Sequence, residues 1–221
     1  VGGYFATGHS AAESREFIRS IDWSSVFSAS APYENLLFRR KEDRRQFQNS
    51  LEFGLKGGFR LPSSLSSGNA VSLVISRIAA PYPDMASFSD LPIPFRCVAV
   101  DLIAGRSVVF DSGRLQTALR ATMSIPAVFS PLPVGEKLFV DGGALNNLPV
   151  DVAQQMGAEY TIAVVLDGPP VDRKSLDNMF GVAARSISVM ISDNELRNRK
   201  AANLVLAPDL KGLSGGDWRS R

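Results

Sequence analysis

The sequence predicts an α/β fold in which strands are buried between helices, and three observations carry that prediction. A strand, a helix and a second strand follow one another between Lys137 and Leu166, a span of about 30 residues that suits a right-handed βαβ unit with parallel strands. The second of these strands, Tyr160 to Leu166, is nearly continuous in apolar residues, as expected when helices cover both faces. Downstream, Leu176, Met179, Phe180, Ala183, Ile187, Met190 and Ile191 recur at helical spacing and mark a long amphipathic helix.

Composition agrees. The chain has 221 residues, 45% hydrophobic and 21% charged, enough for one buried core and far from the polar, highly charged make-up of disorder. Lys and Arg number 24 against 22 Asp and Glu, a net charge of +2, which argues against a dedicated nucleic-acid binder. The single cysteine, Cys97, excludes a disulfide framework and any multi-cysteine metal cluster. With His9 the only histidine, no metal or cofactor is expected, and the chemistry falls to carboxylates and hydroxyls. No apolar run approaches the ~20 residues of a membrane-spanning helix.

In chain order, Ser10-Ala11-Ala12-Glu13 is a capping box, and Phe17, Ile18 and Ile21 share one face of a helix ending near Asp22-Trp23. From Ser24 to Pro94 the periodicity weakens, with loop punctuation at Ser63 to Gly68 and Pro81-Tyr82-Pro83. Within it, Leu36 to Arg60 holds seven basic and three acidic residues interleaved with Phe38, Phe47, Phe53 and Phe59. Residues 24–94 therefore read as a cap or insertion over one face of the core. Phe95 to Leu102 is a strand that turns at Ala104-Gly105 into Ser107 to Phe110, a hairpin. Gly113 to Thr122 is a short helix stopped by Pro126, and Lys137 to Val140 is a strand running into Asp141-Gly142-Gly143. Pro149 suits a helix start and Gly157 its end. Leu204 to Leu206 closes the series as a last short strand.

Asp141 thus stands at the C-terminal end of a buried strand, where open α/β sheets place their ligand crevice. Gly142 and Gly143 let the backbone turn sharply and let a second group approach closely. On spacing alone, a turn that merely ends a strand explains the same residues equally well.

Several ordered stretches resemble the bacterial patatin-like phospholipases. These are Phe95 to Leu102, Ala118 to Pro126 followed by Phe129-Ser130-Pro131, Val140 through Asp141-Gly142-Gly143 to Val150, and Met156-Gly157-Ala158-Glu159. The likeness runs from Val1 to about Leu210 and is looser in the middle third. Residues Arg39 to Gly58 look most like the subgroup fused to an outer-membrane surface-antigen barrel. The resemblance implies a three-layer fold with a mostly parallel central sheet flanked by helices. It also implies a lipid acyl hydrolase with a serine–aspartate dyad, acting without metal or cofactor on phospholipid or other acyl-ester substrates at a membrane surface. Asp141 would be the base within the pattern D-G-[AG], with Gly142 and Gly143 forming the active-site loop. The nucleophilic serine would sit in a G-x-S-x-G elbow, with an oxyanion loop rich in glycine. Because Val1 to Gly8 resembles the end of the helix that follows the elbow, both would lie upstream of Val1. The domain, residues 1–221, would then lack its N-terminal strands, leave apolar sheet edges and be inactive alone. Barrel fusion would place the protein in the bacterial cell envelope or outside the cell, and its absence in the cytoplasm.

The dyad is chemically coherent. A serine hydroxyl is a weak nucleophile until a neighbouring base takes its proton. A carboxylate can do so where its pocket raises its proton affinity above the ~3.9 of a free Asp. A non-catalytic lipid-binding or interaction domain is the alternative; a G-x-S-x-G elbow upstream discriminates the two. An unrelated nucleotide-binding domain lacks support, because no G-x-G-x-x-G follows a strand.

Other residues have plainer readings. Cys97 reads as a small core hydrophobe, and His9 as a loop residue outside any triad. Asp101 and Asp167 read as partners of loop backbone, and Asn146 and Asn147 as side chains satisfying turn groups. The basic cluster Arg39-Arg40-Lys41 with Arg44-Arg45 reads as a solvated face or as a contact for anionic headgroups. Gly212-Leu213-Ser214-Gly215-Gly216 matches G-x-S-x-G, yet Pro208 precedes it, no room for a helix follows before Arg221, and it lies after Asp141. Ser214 is expected to be a surface-loop residue, and Ser214→Ala to leave ester hydrolysis unchanged.

Overall fold

A computed structural model describes residues 1–23, 26, 64–66, 68–167 and 171–210. The basic-aromatic segment, the 39–58 stretch behind the barrel resemblance and Ser214 lie outside the described residues.

Helix α1 (Gly2–Ala6) leads into α2 (Ala11–Ser20). Ser10 caps α2 as its sequence predicts: its backbone N–H donates to Glu13 Oε2 at 2.7 Å, and the Glu13 N–H donates to Ser10 Oγ at 3.2 Å. Strand β1 (Ser64–Ser66) and helix α3 (Asn69–Ala79) follow within the stretch of weak periodicity. The loop reading of Ser64 to Ser66 is corrected: the segment pairs in parallel with β4 (Ala127–Phe129), so the partner strand supplies the hydrogen bonds that its serines do not announce. Helix α3 turns Val71, Ile75 and Ala79 into the main core beside Leu115 and Ala118 of α4 (Leu115–Thr122). Phe88 and Phe129, both at 0% exposure, fill the same core. Truncating a phenylalanine in such a place costs about 3–5 kcal/mol.

The α/β class holds, but the strand order differs from the expected parallel sheet. Strands β2 (Cys97–Asp101), β3 (Arg106–Phe110), β5 (Leu132–Val134) and β6 (Lys137–Asp141) form one sheet in the order β3-β2-β6-β5. All three of its pairings are antiparallel. Connection length is the reason for two of them, β2 with β3 and β5 with β6. Turns at Gly105 (φ 64°) and Gly135 (φ 58°) reverse the chain at once, and such short loops can join only antiparallel neighbours. Strand β2 is buried along its whole length. Ala121 of α4 packs with Ala99 of β2 and Phe139 of β6 in a core cluster on one sheet face.

Helix α5 (Val150–Gln155) links β6 to β7 (Ile162–Val164), but β6 and β7 do not pair. Instead β7 pairs in parallel with β8 (Leu204–Leu206), and the crossover between them is the long helix α6 (Met179–Ala201). The βαβ unit therefore exists one step later than its sequence spacing suggests. Nor do the described residues cover β7 on both sides. Ala163 and Val165 are buried with Leu148 and Val150, whereas Ile162 and Val164 are 58% and 57% exposed. A continuous apolar run cannot distinguish a doubly covered strand from one covered on a single face.

Candidate active site around Asp141

Asp141 is the last residue of β6, opposite Ala99 of β2. The strand feeding it is antiparallel to both neighbours, so the site sits at the end of an antiparallel strand and not of the parallel strand expected. Its backbone N–H donates to the Ser124 carbonyl at 3.0 Å, which ties the strand end to the turn after α4. One carboxylate oxygen, Oδ1, accepts the Gly143 N–H at 3.0 Å. Asp141 thereby caps the single 3-10 turn Gly142–Ala144. Gly142 is required by closeness. A Cβ there would lie 2.7 Å from the Val98 carbonyl carbon and nearer still to its oxygen.

The Asp141 carboxyl is half-buried. Burial pushes its pKa above the ordinary carboxylate value, and the Gly143 N–H offsets part of that rise. The side chain lines a cavity of about 310 Å³ together with Gly142, Gly143, Asn146 and Asn147. Apolar wall comes from Ile75 and Ile78 of α3, Leu119 of α4, Phe95 and Met123. Val1 to Tyr4 line it as well, so the start of α1 stands at the same cavity as Asp141. Gly3 permits this, since a Cβ on it would press on the Leu119 side chain at 3.0 Å and less. A carboxylate raised by burial, beside a largely apolar wall and the start of α1, is an arrangement that can accept a proton from a hydroxyl.

Arg120 buttresses the site from inside. It is 6% exposed, and its guanidinium donates to Ser124 Oγ at 2.7 Å, Ser72 Oγ at 3.2 Å and the Ser130 carbonyl at 3.4 Å. The residue whose carbonyl holds the Asp141 amide is thus itself pinned. Both Arg120 and Ser124 lie in the stretch that carries the resemblance, but nothing in a linear pattern assigns them this part. At helical spacing Arg120 falls between Gln116 and Thr117, away from Leu115, Ala118 and Leu119, so its burial has no signal in the sequence.

The remaining candidates separate. Cys97 is buried in the core, and burial pushes its thiol up to about 12, so it stays protonated. His9 stacks on Tyr4 with ring centroids 3.9 Å apart and shares a hydrogen bond with Thr7 Oγ1 at 3.0 Å; it does not line the Asp141 cavity. Asp101 caps its loop as read, accepting from the Ile103 and Ala104 N–H groups at 3.0 and 3.4 Å. Asp167 departs from the backbone-partner reading, because it forms an ion pair with Arg199. Asn146 and Asn147 depart as well: their amides bond side chains, reaching Asp151 and Glu195, both at 2.9 Å. Among the described residues, no group of three or more His, Cys, Asp or Glu side chains could hold a metal ion.

Comparison with known proteins places the chain. A mycobacterial relative, an uncharacterised NTE family protein of Mycobacterium bovis, is 45% identical over 82 residues, 37% of this chain and 23% of its own. A second such protein of that species is 36% identical over 97 residues, 43% of this chain and 16% of the relative. Patatin-like phospholipase domain-containing protein 7 of Rattus norvegicus is 30% identical over 142 residues, 63% of this chain and 10% of the relative. The matches thus span about a quarter or less of these relatives' length. Residues 1–153, more than two-thirds of the chain, match the family model for patatin-like phospholipase, and the chain belongs to that family.

Proposed function

We propose that the full-length protein hydrolyses acyl-ester bonds of lipids through a serine–aspartate dyad, with Asp141 as the base. The observation that carries this reading is the Asp141 carboxylate, raised by burial and facing a largely apolar cavity. Family membership supports a lipid substrate. The serine is proposed to come from chain preceding Val1, because the start of α1 stands at the cavity that Asp141 lines.

In that arrangement Asp141 accepts the serine hydroxyl proton as the oxygen attacks the ester carbonyl carbon. Backbone N–H donors stabilise the tetrahedral oxyanion. Collapse breaks the ester C–O bond, and Asp141 returns its proton to the departing alcohol. Water then attacks the acyl-serine carbonyl carbon as Asp141 takes its proton. Collapse breaks the acyl–serine C–O bond while Asp141 returns that proton to the serine oxygen, which releases the fatty acid and regenerates the free serine. The apolar wall of Ile75, Ile78, Leu119 and Met123 suits an acyl chain. A peripheral membrane position follows from a substrate that resides in a bilayer.

The test is Asp141→Asn in the full-length protein, assayed with a soluble p-nitrophenyl ester. Loss of a general base typically costs roughly 10² to 10⁴ in rate. Near-normal turnover by a folded variant overturns the dyad reading.

A further inference from the structure

The loop after Asp141 is held by a helix that begins nearly forty residues downstream. Two side-chain contacts make the connection, and a third ties the same loop to α5. Asn147 Nδ2 donates to Glu195 Oε2 of α6 at 2.9 Å. Asn198 Nδ2, also on α6, donates to Asn146 Oδ1 at 3.0 Å, while Asn146 Nδ2 donates to Asp151 Oδ1 of α5 at 2.9 Å. Glu195 and Asn198 are three residues apart and so share a helix face. Asn198 is 9% exposed, so its amide is committed to this contact and to Asn194 at 3.1 Å.

Each contact is relayed to the carboxylate. The Asn146 N–H donates to the Gly142 carbonyl at 2.8 Å, closing the turn that Asp141 caps. Asn147 Oδ1 abuts Gly143, lying 2.9 Å from where a Cβ on that glycine would be. Gly143 in turn donates its N–H to Asp141 Oδ1. Glu195 is fixed before it makes its bond: its other oxygen, Oε1, accepts from Arg199 Nη2 at 2.8 Å and Nε at 3.2 Å, and Arg199 is anchored on Asp167.

We propose that Glu195 and Asn198 are positioning residues for Asp141, clamping Asn147 and Asn146 so that the Gly143 N–H and the carboxylate keep one fixed geometry. This rests on the reading of Asp141 as the base. Neither residue touches substrate; each acts through the loop, as supporting groups around a reacting centre do. The other titratable or charged side chains described around the cavity, Tyr4, Arg96 and Cys97, lie outside α6.

The experiment uses the full-length protein and a soluble p-nitrophenyl ester. Glu195→Ala should lower kcat roughly tenfold or more at unchanged KM, the scale on which misplaced groups act. Its acid limb in the kcat profile should also lie at higher pH than that of Glu195→Gln, which lacks the same charge but keeps the link, because the Gly143 N–H that favours the ionised carboxylate is no longer held in place. Glu195→Gln keeps an acceptor for Asn147 and should recover most of the rate. Asn147→Ala cuts the same link from its other end, so the double variant should be no slower than the worse single one. Arg197→Ala, on an exposed ion pair with Asp193, is the control and should match the parent. Asp141→Asn is run in parallel. If Asp141→Asn is inactive while Glu195→Ala keeps the parent kcat and pH profile, the clamp is overturned and the base reading stands. Multiplicative losses in the double variant overturn it as well. If Asp141→Asn is fully active, the base reading fails and the clamp falls with it.

Discussion

The two glycines after Asp141 should tolerate alanine very differently. At Gly142 a Cβ would lie 2.7 Å from the Val98 carbonyl carbon and 2.9 Å from the Val98 Cβ. Ordinary contact begins near 3.4 Å, so the Val98 carbon and the new methyl must separate by about 0.7 Å, and the carbonyl oxygen by more. Val98 cannot retreat, because β2 is buried along its length and paired on both edges. The turn must therefore move, and Asp141 with it. Overpacking of this kind costs about 1–3 kcal/mol, or roughly 2–12 °C in Tm for a domain of this size. A displacement near 1 Å at a reacting group can cost ~10² in rate. At Gly143 the nearest obstacle is the Asn147 amide oxygen at 2.9 Å, a side-chain atom that can give at the cost of its link to Glu195 where backbone cannot, and Asp141 Oδ1 is in ordinary contact at 3.6 Å. Neither glycine has a positive φ, so backbone strain does not blur the comparison. Gly142→Ala and Gly143→Ala in the full-length protein, followed by thermal unfolding and ester hydrolysis, measure the difference. Gly142→Ala is expected to be the worse variant in both. Parent-like behaviour of Gly142→Ala, or greater damage from Gly143→Ala, refutes the reasoning. The same geometry explains why a D-G-[AG] pattern can accept alanine only at its second glycine.

Two further outcomes follow from buried titratable groups. Burial raises the Asp141 carboxyl above its unfolded value, so its ionisation opposes folding at neutral pH and has no effect below both values. Asp141→Asn should therefore raise Tm at pH 7, and the gain should fade as pH falls below the ~3.9 of a free Asp; an equal gain at pH 7 and pH 3 contradicts the assignment. Cys97, 8% exposed with its thiol pushed up to about 12, should resist iodoacetamide at pH 8 in the folded protein and react in denaturant. Stoichiometric labelling of the native protein would show that β2 opens.

The local grammar of this chain was legible from its residues. The capping box at Ser10 and Glu13, the hairpin turn at Gly105, the end of α5 before Gly157 and the strand running into Asp141 all rest on contacts a few residues apart. Such contacts are written in consecutive side chains. Pairing is not. Whether β6 takes β7 or β2 as its neighbour depends on which strand meets it after the whole core has closed, and the apolar run at Tyr160 to Leu166 suits either outcome. Helix α3 was hidden for a related reason. Its core residues Val71, Ile75 and Ala79 have helical spacing, but serines and a glycine surround them, and their burial against α4 is what sets the helix apart. The site divides in the same way. Asp141, Gly142 and Gly143 form a contiguous motif, so sequence alone singled them out. Ser124, Glu195 and Asn198 reach the same turn from the turn after α4 and from α6, and Arg120 of α4 reaches it only through Ser124. Only tertiary folding brings residues 48 and 52 positions apart within hydrogen-bond distance, because direct side-chain contact depends on separation in space and not along the chain.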